Sequence, residues 1–142
     1  MLIDQLKVTQ ADAFTLYLKA HYYHWNIEGP DFPQYHDFLS DLYQDVHSSV
    51  DAIAELIRTM DSYAPGTLAR FLALTTIEET EIVPDARTMM VNLRVENTKM
   101  LDTLKKAYEM AEEEEQIGIA NYLQDRVQAH EKHGWMLRSI TK

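Results

Sequence analysis

The sequence contains no cysteine, which excludes disulfides, thiolate metal sites and cysteine nucleophiles. Glycine and proline are scarce, four of each in 142 residues, so long elements with few interruptions are expected. No apolar run approaches the roughly 18 residues that a membrane span needs. The opening "MLIDQLKVTQADAF" lacks the basic-then-apolar order of a signal peptide, so a soluble, cytoplasmic protein is expected. Basic residues are outnumbered, 13 Lys and Arg against 23 Asp and Glu, for a formal net charge of −10. Phosphate backbones need Lys and Arg neighbours. Nucleic acid is therefore disfavoured as a partner, and cations are favoured.

The residues that are present suit one domain over positions 1–142. Apolar side chains make up 46% of the chain and charged ones 25%, enough of the former for a sizeable core. The segment from Thr9 to Ile27 consists of good helix formers without Gly or Pro. Thr9 is the expected N-cap, with Asp12 approximating a capping box. "EGPDFP" then breaks the helix. A second helix is expected from about Gln34 to Asp61. At about 100° per residue, Phe38, Leu39, Leu42, Tyr43, Val46, Val50, Ile53, Leu56, Ile57 and Met60 fall on one side. His36, Asp37, Asp41, Asp45, Asp51 and Glu55 fall on the other, the pattern of a long amphipathic helix. A short helix is predicted over Leu68 to Leu74. Pro84 and Asp85 suit the first turn of a third long helix, whose stripe runs from Met90 through Asn97 to Ala111. The acidic run 112–115 covers the next turn, and a fourth helix carries Ala120, Leu123, Val127, His130, Gly134 and Leu137 inward. No segment alternates as a strand does. The prediction is all-α: a four-helix bundle with a short extra helix in the long crossover between helices 2 and 3, on the ferritin-like plan.

Bundle cores often hold metal, and the di-iron kind uses two Glu-x-x-His pairs. This chain contains no Glu-x-x-His, so an intramolecular centre of that type is not expected. Three of the six histidines fall instead within "HYYHWNIEGPDFPQYH", residues 21–36. Further along the second helix, Asp51 and Glu55 form an i, i+4 pair whose carboxylates can converge on one ion. His36 and Asp51 are fifteen residues apart, over about 20 Å along a straight helix, whereas metal–ligand bonds are about 2 Å. The two sets cannot share an ion within one chain. They can between two chains, if the helix packs antiparallel on its own copy across a two-fold axis. His24 can then join His36, and the mixed N/O donors suit iron, with zinc as a competitor. On spacing alone two plainer readings stand beside this one: histidines that cap or solvate helix ends, and an ordinary wet helix face at Asp51 and Glu55.

The motif "HWNIEGPDFPQYH" followed by "DAIAE" resembles the signature of the Dps family of mini-ferritins. In that family a His-Trp pair, a Gly-containing loop with a Phe and a second His precede Asp-x-x-x-Glu. The matching residues are His24-Trp25, Gly29, Phe32, His36, Asp51 and Glu55, and their spacings agree without a gap. The later "AHEKHGWML" is similar to the family's last helix. The resemblance implies a hollow homo-oligomer, a dodecamer, that oxidises Fe(II) with hydrogen peroxide or oxygen and stores ferric mineral, protecting against oxidative stress. It implies His24 and His36 as ligands from one chain and Asp51 and Glu55 as ligands from its partner, with Glu55 as a bridge. It also implies that Trp25 stands beside the site, where it can quench oxidising equivalents. His21 has no matching role and is read as structural.

Other residues carry weaker signals. Asp37, Asp41 and Asp45 form an acidic stripe that is either a solvated face or, by the resemblance, an inner-wall patch that nucleates mineral. Asp37 and Asp41 are the better candidates. Glu112–Glu115, Asn121 and Asp125 are either a solvated acidic turn or, by the resemblance, the lining of the iron-entry pores, although Asn121 stands where an acidic residue is expected. His130 and His133 look like an i, i+3 ligand pair, but His130 lies on the apolar stripe and is read as a hydrogen-bonded core or interface histidine. His47 is a weak candidate for an auxiliary ligand. The rival reading is a DNA-compacting cage with secondary iron chemistry. Lys7 is the only basic residue ahead of the predicted first helix, and the chain is strongly acidic, so DNA binding is not expected.

Overall fold

A computed structural model describes residues 1–142. It has five helices and no strand: α1 (Leu2–Asn26), α2 (Phe32–Thr59), α3 (Leu68–Leu74), α4 (Ala86–Glu113) and α5 (Ile117–Ile140). The four long helices form two antiparallel hairpins, α1–α2 and α4–α5, packed together mainly through α1 and α4. The crossover between the hairpins contains α3. The expected architecture is therefore present, with α3 on its predicted residues.

α1 begins at Leu2, with Met1 rather than Thr9 at its N-cap. Leu2, Leu6, Thr9, Ala13, Leu16, Ala20 and Tyr23 are buried at alternating steps of four and three, the spacing of one helical face. Thr9 is no N-cap. It lies inside the helix, where its hydroxyl donates to the Gln5 carbonyl at 2.7 Å. Asp12 is no capping-box residue either. Its carboxylate is fully buried and accepts from the Thr75 hydroxyl at 2.8 Å, the Thr76 amide at 2.7 Å, the Thr76 hydroxyl at 2.8 Å and the Thr103 hydroxyl at 2.7 Å. These bonds tie the crossover and α4 to α1. Lys19 Nζ adds a bond to the Glu78 carbonyl at 2.8 Å.

On α2, Leu39, Leu42, Val46, Ile53 and Ile57 are buried, and Phe38, Tyr43, Val50, Leu56 and Met60 pack half-buried around them. Each fully buried aliphatic side chain contributes about 2 kcal/mol. Pro84 and Asp85 precede α4 rather than forming its first turn: Asp85 is the N-cap, its carboxylate accepting from the Thr88 amide at 2.8 Å. The acidic run splits: Glu112 and Glu113 finish α4, while Glu115 turns the chain with φ 58°. The Gln116 amide reaches back to the Ala111 carbonyl at 2.8 Å, closing a Schellman turn. No helix is long and apolar enough to cross a membrane.

Candidate metal centre

The short connection between α1 and α2 sets His24 beside His36. Gly29 takes φ 124° there, a conformation open to glycine but rarely to other residues. The two imidazoles stack at 3.7 Å between centroids, 19° from parallel. Each Nδ1 donates to the other's backbone: His24 Nδ1 to the His36 carbonyl and His36 Nδ1 to the His24 carbonyl, both at 2.9 Å. The His24 carbonyl is in the last turn of α1, where helical partners run out, so the second bond also satisfies an orphan acceptor. A carbonyl only accepts, so both Nδ1 atoms carry hydrogen. The Nε2 lone pairs are left for a metal, the usual way a backbone acceptor sets a ligand's tautomer.

Aromatic rings enclose the pair. Phe32 lies 4.8 Å from His36 and Tyr43 lies 5.2 Å from His24. Trp25 is 59% exposed and rests on His21 at 4.0 Å. His21 stacks on Tyr43 and hydrogen-bonds Tyr17. Desolvation, helped by His24 and His47, lowers its pKa.

Asp51 and Glu55 sit exposed on α2. A hydrogen bond shared with Asp51, reinforced by the repulsion of its charge, raises the Glu55 carboxyl pKa. The two carboxylates stand one helical turn apart on α2, the i, i+4 spacing at which both can reach one cation. α2 is continuous between His36 and Asp51, so the helical rise separates them by over about 20 Å. No group of three or more His, Asp or Glu in the chain is placed to hold one metal ion. The chain carries two separate sets of candidate ligands: the imidazoles at one end of α2 and the carboxylates well along it.

The remaining candidates divide. Asp37 and Asp41 are exposed. Asp45 is not a free member of their stripe: it accepts Arg126 Nη1 at 3.1 Å and Nη2 at 2.9 Å, and His133 Nε2 lies at 2.7 Å. The bond to His133, with the Arg126 guanidinium, holds its carboxyl well below the usual range despite desolvation. His130 is fully buried, with Nδ1 2.8 Å from Asn97 Oδ1 and Nε2 3.2 Å from Arg126. It is a satisfied core histidine, and burial keeps its pKa well below the ordinary value. His47 is exposed, 4.5 Å from the Tyr17 ring. Asn121 and Asp125 are exposed on α5. Asn121 lines a shallow recess with Glu112, Glu115 and Gln124. The Asp45–Arg126–His133 cluster went unseen in the sequence because its members are 81 and 88 residues apart. The Tyr17–His21 bond had a local signal, the i, i+4 spacing.

The family model for the ferritin-like domain matches residues 3–142. A low-temperature-induced protein of Nostoc is 34% identical over 97% of this chain and 78% of its own length. DNA protection during starvation protein 2 of Bacillus anthracis is 30% identical over 97% of this chain and 94% of its own. The chain belongs to the Dps family. The crystal structure of Dps from Vibrio cholerae, described as a ferritin-like diiron-carboxylate protein, superposes with a TM-score of 0.95. That match is 27% identical over 99% of this chain and 89% of the other.

Proposed function

We propose that this Dps-family protein is a ferroxidase that stores iron, its sites being shared by pairs of chains. His24 and His36 come from one chain, and Asp51 and Glu55 from its partner. One observation supports this most strongly. The chain presents two imidazoles with Nδ1 tied to backbone and, far along the same helix, two convergent carboxylates, neither set complete alone. Iron is the substrate. Reducing one peroxide to water takes two electrons, one from each of two Fe(II) ions. The imidazoles hold iron through neutral nitrogen, the carboxylates offset its rising charge, and Glu55 can bridge two positions. Hydrogen peroxide or oxygen accepts the electrons, and zinc competes for the same donors.

An uncovered apolar recess of Phe14, Leu18, Phe71 and Leu72 beside exposed Leu68 favours association, since patches of this kind mark interfaces. In the proposed hollow dodecamer, Asp37 and Asp41 nucleate mineral on the inner wall, and Asp125 with Asn121 lies near the entry pores.

The test is complementation. His36→Ala and Glu55→Ala oligomers each lose rapid Fe(II) oxidation, followed by ferric absorbance with peroxide or oxygen. Dimers that pair the two variants keep one intact site and one doubly damaged site, so co-assembled mixtures recover part of the rate. Well-assembled mixtures that stay inactive rule out a shared site.

A further inference from the structure

Beside the ligand pair lies a chain of rings that iron binding does not use. Tyr17 and His21 share one face of α1 at i, i+4 spacing, with the Tyr17 hydroxyl 3.1 Å from His21 Nδ1. Tyr43, from α2, stacks on His21 at 3.8 Å, only 8° from parallel, and lies 5.2 Å from the ring of His24. Tyr17 is 6.1 Å from Tyr43. A path of neighbouring rings therefore joins Tyr17 to a proposed iron ligand. Removing an electron from a phenol also requires removing its proton, and His21 is a base already hydrogen-bonded to the Tyr17 hydroxyl.

We propose that Tyr17, paired with His21 and connected to His24 through Tyr43, is a redox-active residue that supplies an electron when hydrogen peroxide meets a site holding a single Fe(II). The inference rests on the ferroxidase reading above. One Fe(II) gives one of the two electrons that peroxide needs, and cleavage of the O–O bond by that electron alone leaves a hydroxyl radical. Tyr17 gives the other electron through Tyr43. Its O–H bond breaks, an N–H bond forms at His21 Nδ1, and a neutral tyrosyl radical faces an imidazolium. The peroxide takes two protons from solvent and leaves as two waters. The next Fe(II) reduces the radical, and His21 returns the proton. Trp25 also touches His21, but it is 59% exposed, so an oxidising equivalent held there meets solvent. Tyr17 is half-buried.

The experiment mixes metal-free oligomer with one Fe(II) per site and excess peroxide. Ferric absorbance is followed in the sample that is frozen for electron paramagnetic resonance. The expected signal is a tyrosyl radical whose hyperfine structure collapses in protein grown on ring-deuterated tyrosine. At high field its gx is reduced by a hydrogen bond to the phenoxyl oxygen. Tyr17→Phe removes most of the signal, and His21→Phe lowers its yield. Two Fe(II) per site suppress it in the wild type, because the second iron supplies the electron. A tryptophan radical, a tyrosyl without the hydrogen bond, a signal that survives Tyr17→Phe, or normal ferric formation with no protein radical overturns the relay while leaving the ferroxidase site standing. Failure of ferric formation overturns both. The high-field spectrum is taken on wild-type protein, so the test does not depend on how the variants fold.

Discussion

Asp45 and His130 show how neighbours on different helices set the charge of a side chain, and both shifts predict acid sensitivity. The buried His130 has a depressed pKa, so it stays neutral in the folded state while the unfolded chain takes up a proton below about pH 6.5. Its contribution to stability is full above that pH and declines below it. Asp45 is also depressed, by His133 and Arg126. Its contribution is full above the unfolded value, about pH 4, and declines as pH falls further. Urea midpoints should therefore drop in two stages. His130→Asn should flatten the stage that begins near pH 6.5, and Asp45→Asn the stage below about pH 4. A variant curve parallel to wild type through its own window contradicts the assignment.

At the scale of elements, the Asp12 carboxylate sets where the crossover lies. It receives four hydrogen bonds, two from Thr76 and one each from Thr75 and Thr103. Truncation leaves several donors without partners, each costing about 1–3 kcal/mol if it stays buried. Asp12→Ala should destabilise the fold by about 3 kcal/mol after relaxation. Amide exchange around Thr75–Glu78 should quicken before exchange in α2 does; uniform acceleration would mean that the carboxylate supports the bundle generally. The sequence could not disclose this clamp, because Thr103 is 91 residues from Asp12 and no local period links them. It also misplaced the start of α1 for a physical reason: a threonine hydroxyl that caps a helix from outside bonds equally well to a carbonyl one turn back inside it. Long-range polar contacts and hydroxyl choices were hidden. The apolar stripe of α2 and the separation of the candidate ligands His36 and Asp51 along it were legible, because period and spacing along one helix are local properties.

For the whole molecule, charge and assembly decide what the surface meets. Relatives carry names that speak of DNA protection, yet this chain has a net charge of −10, multiplied in any oligomer. Duplex DNA should show no retardation in a gel at neutral pH and near-physiological salt, because too few cationic groups are available to displace its counterions. Tight, salt-sensitive binding there would revive the DNA-compacting reading.

Assembly follows from α2. A helix with imidazoles near its start and carboxylates over about 20 Å along it offers no complete site until a second copy lies alongside. Leu18, Leu68 and Leu72 are also exposed, apolar surface that association without metal would bury. Light scattering on metal-free protein should find an oligomer, with the dimer as the smallest species that oxidises iron and a dodecamer as the complete cage. Metal bound only by the assembled form should raise its thermal midpoint by mass action, and the shift should disappear in His36→Ala oligomers that still assemble. A monodisperse 16.5 kDa monomer that oxidises Fe(II) rapidly would defeat the shared site and the cage together, because one chain would then have to bring His36 to Asp51 across a continuous helix.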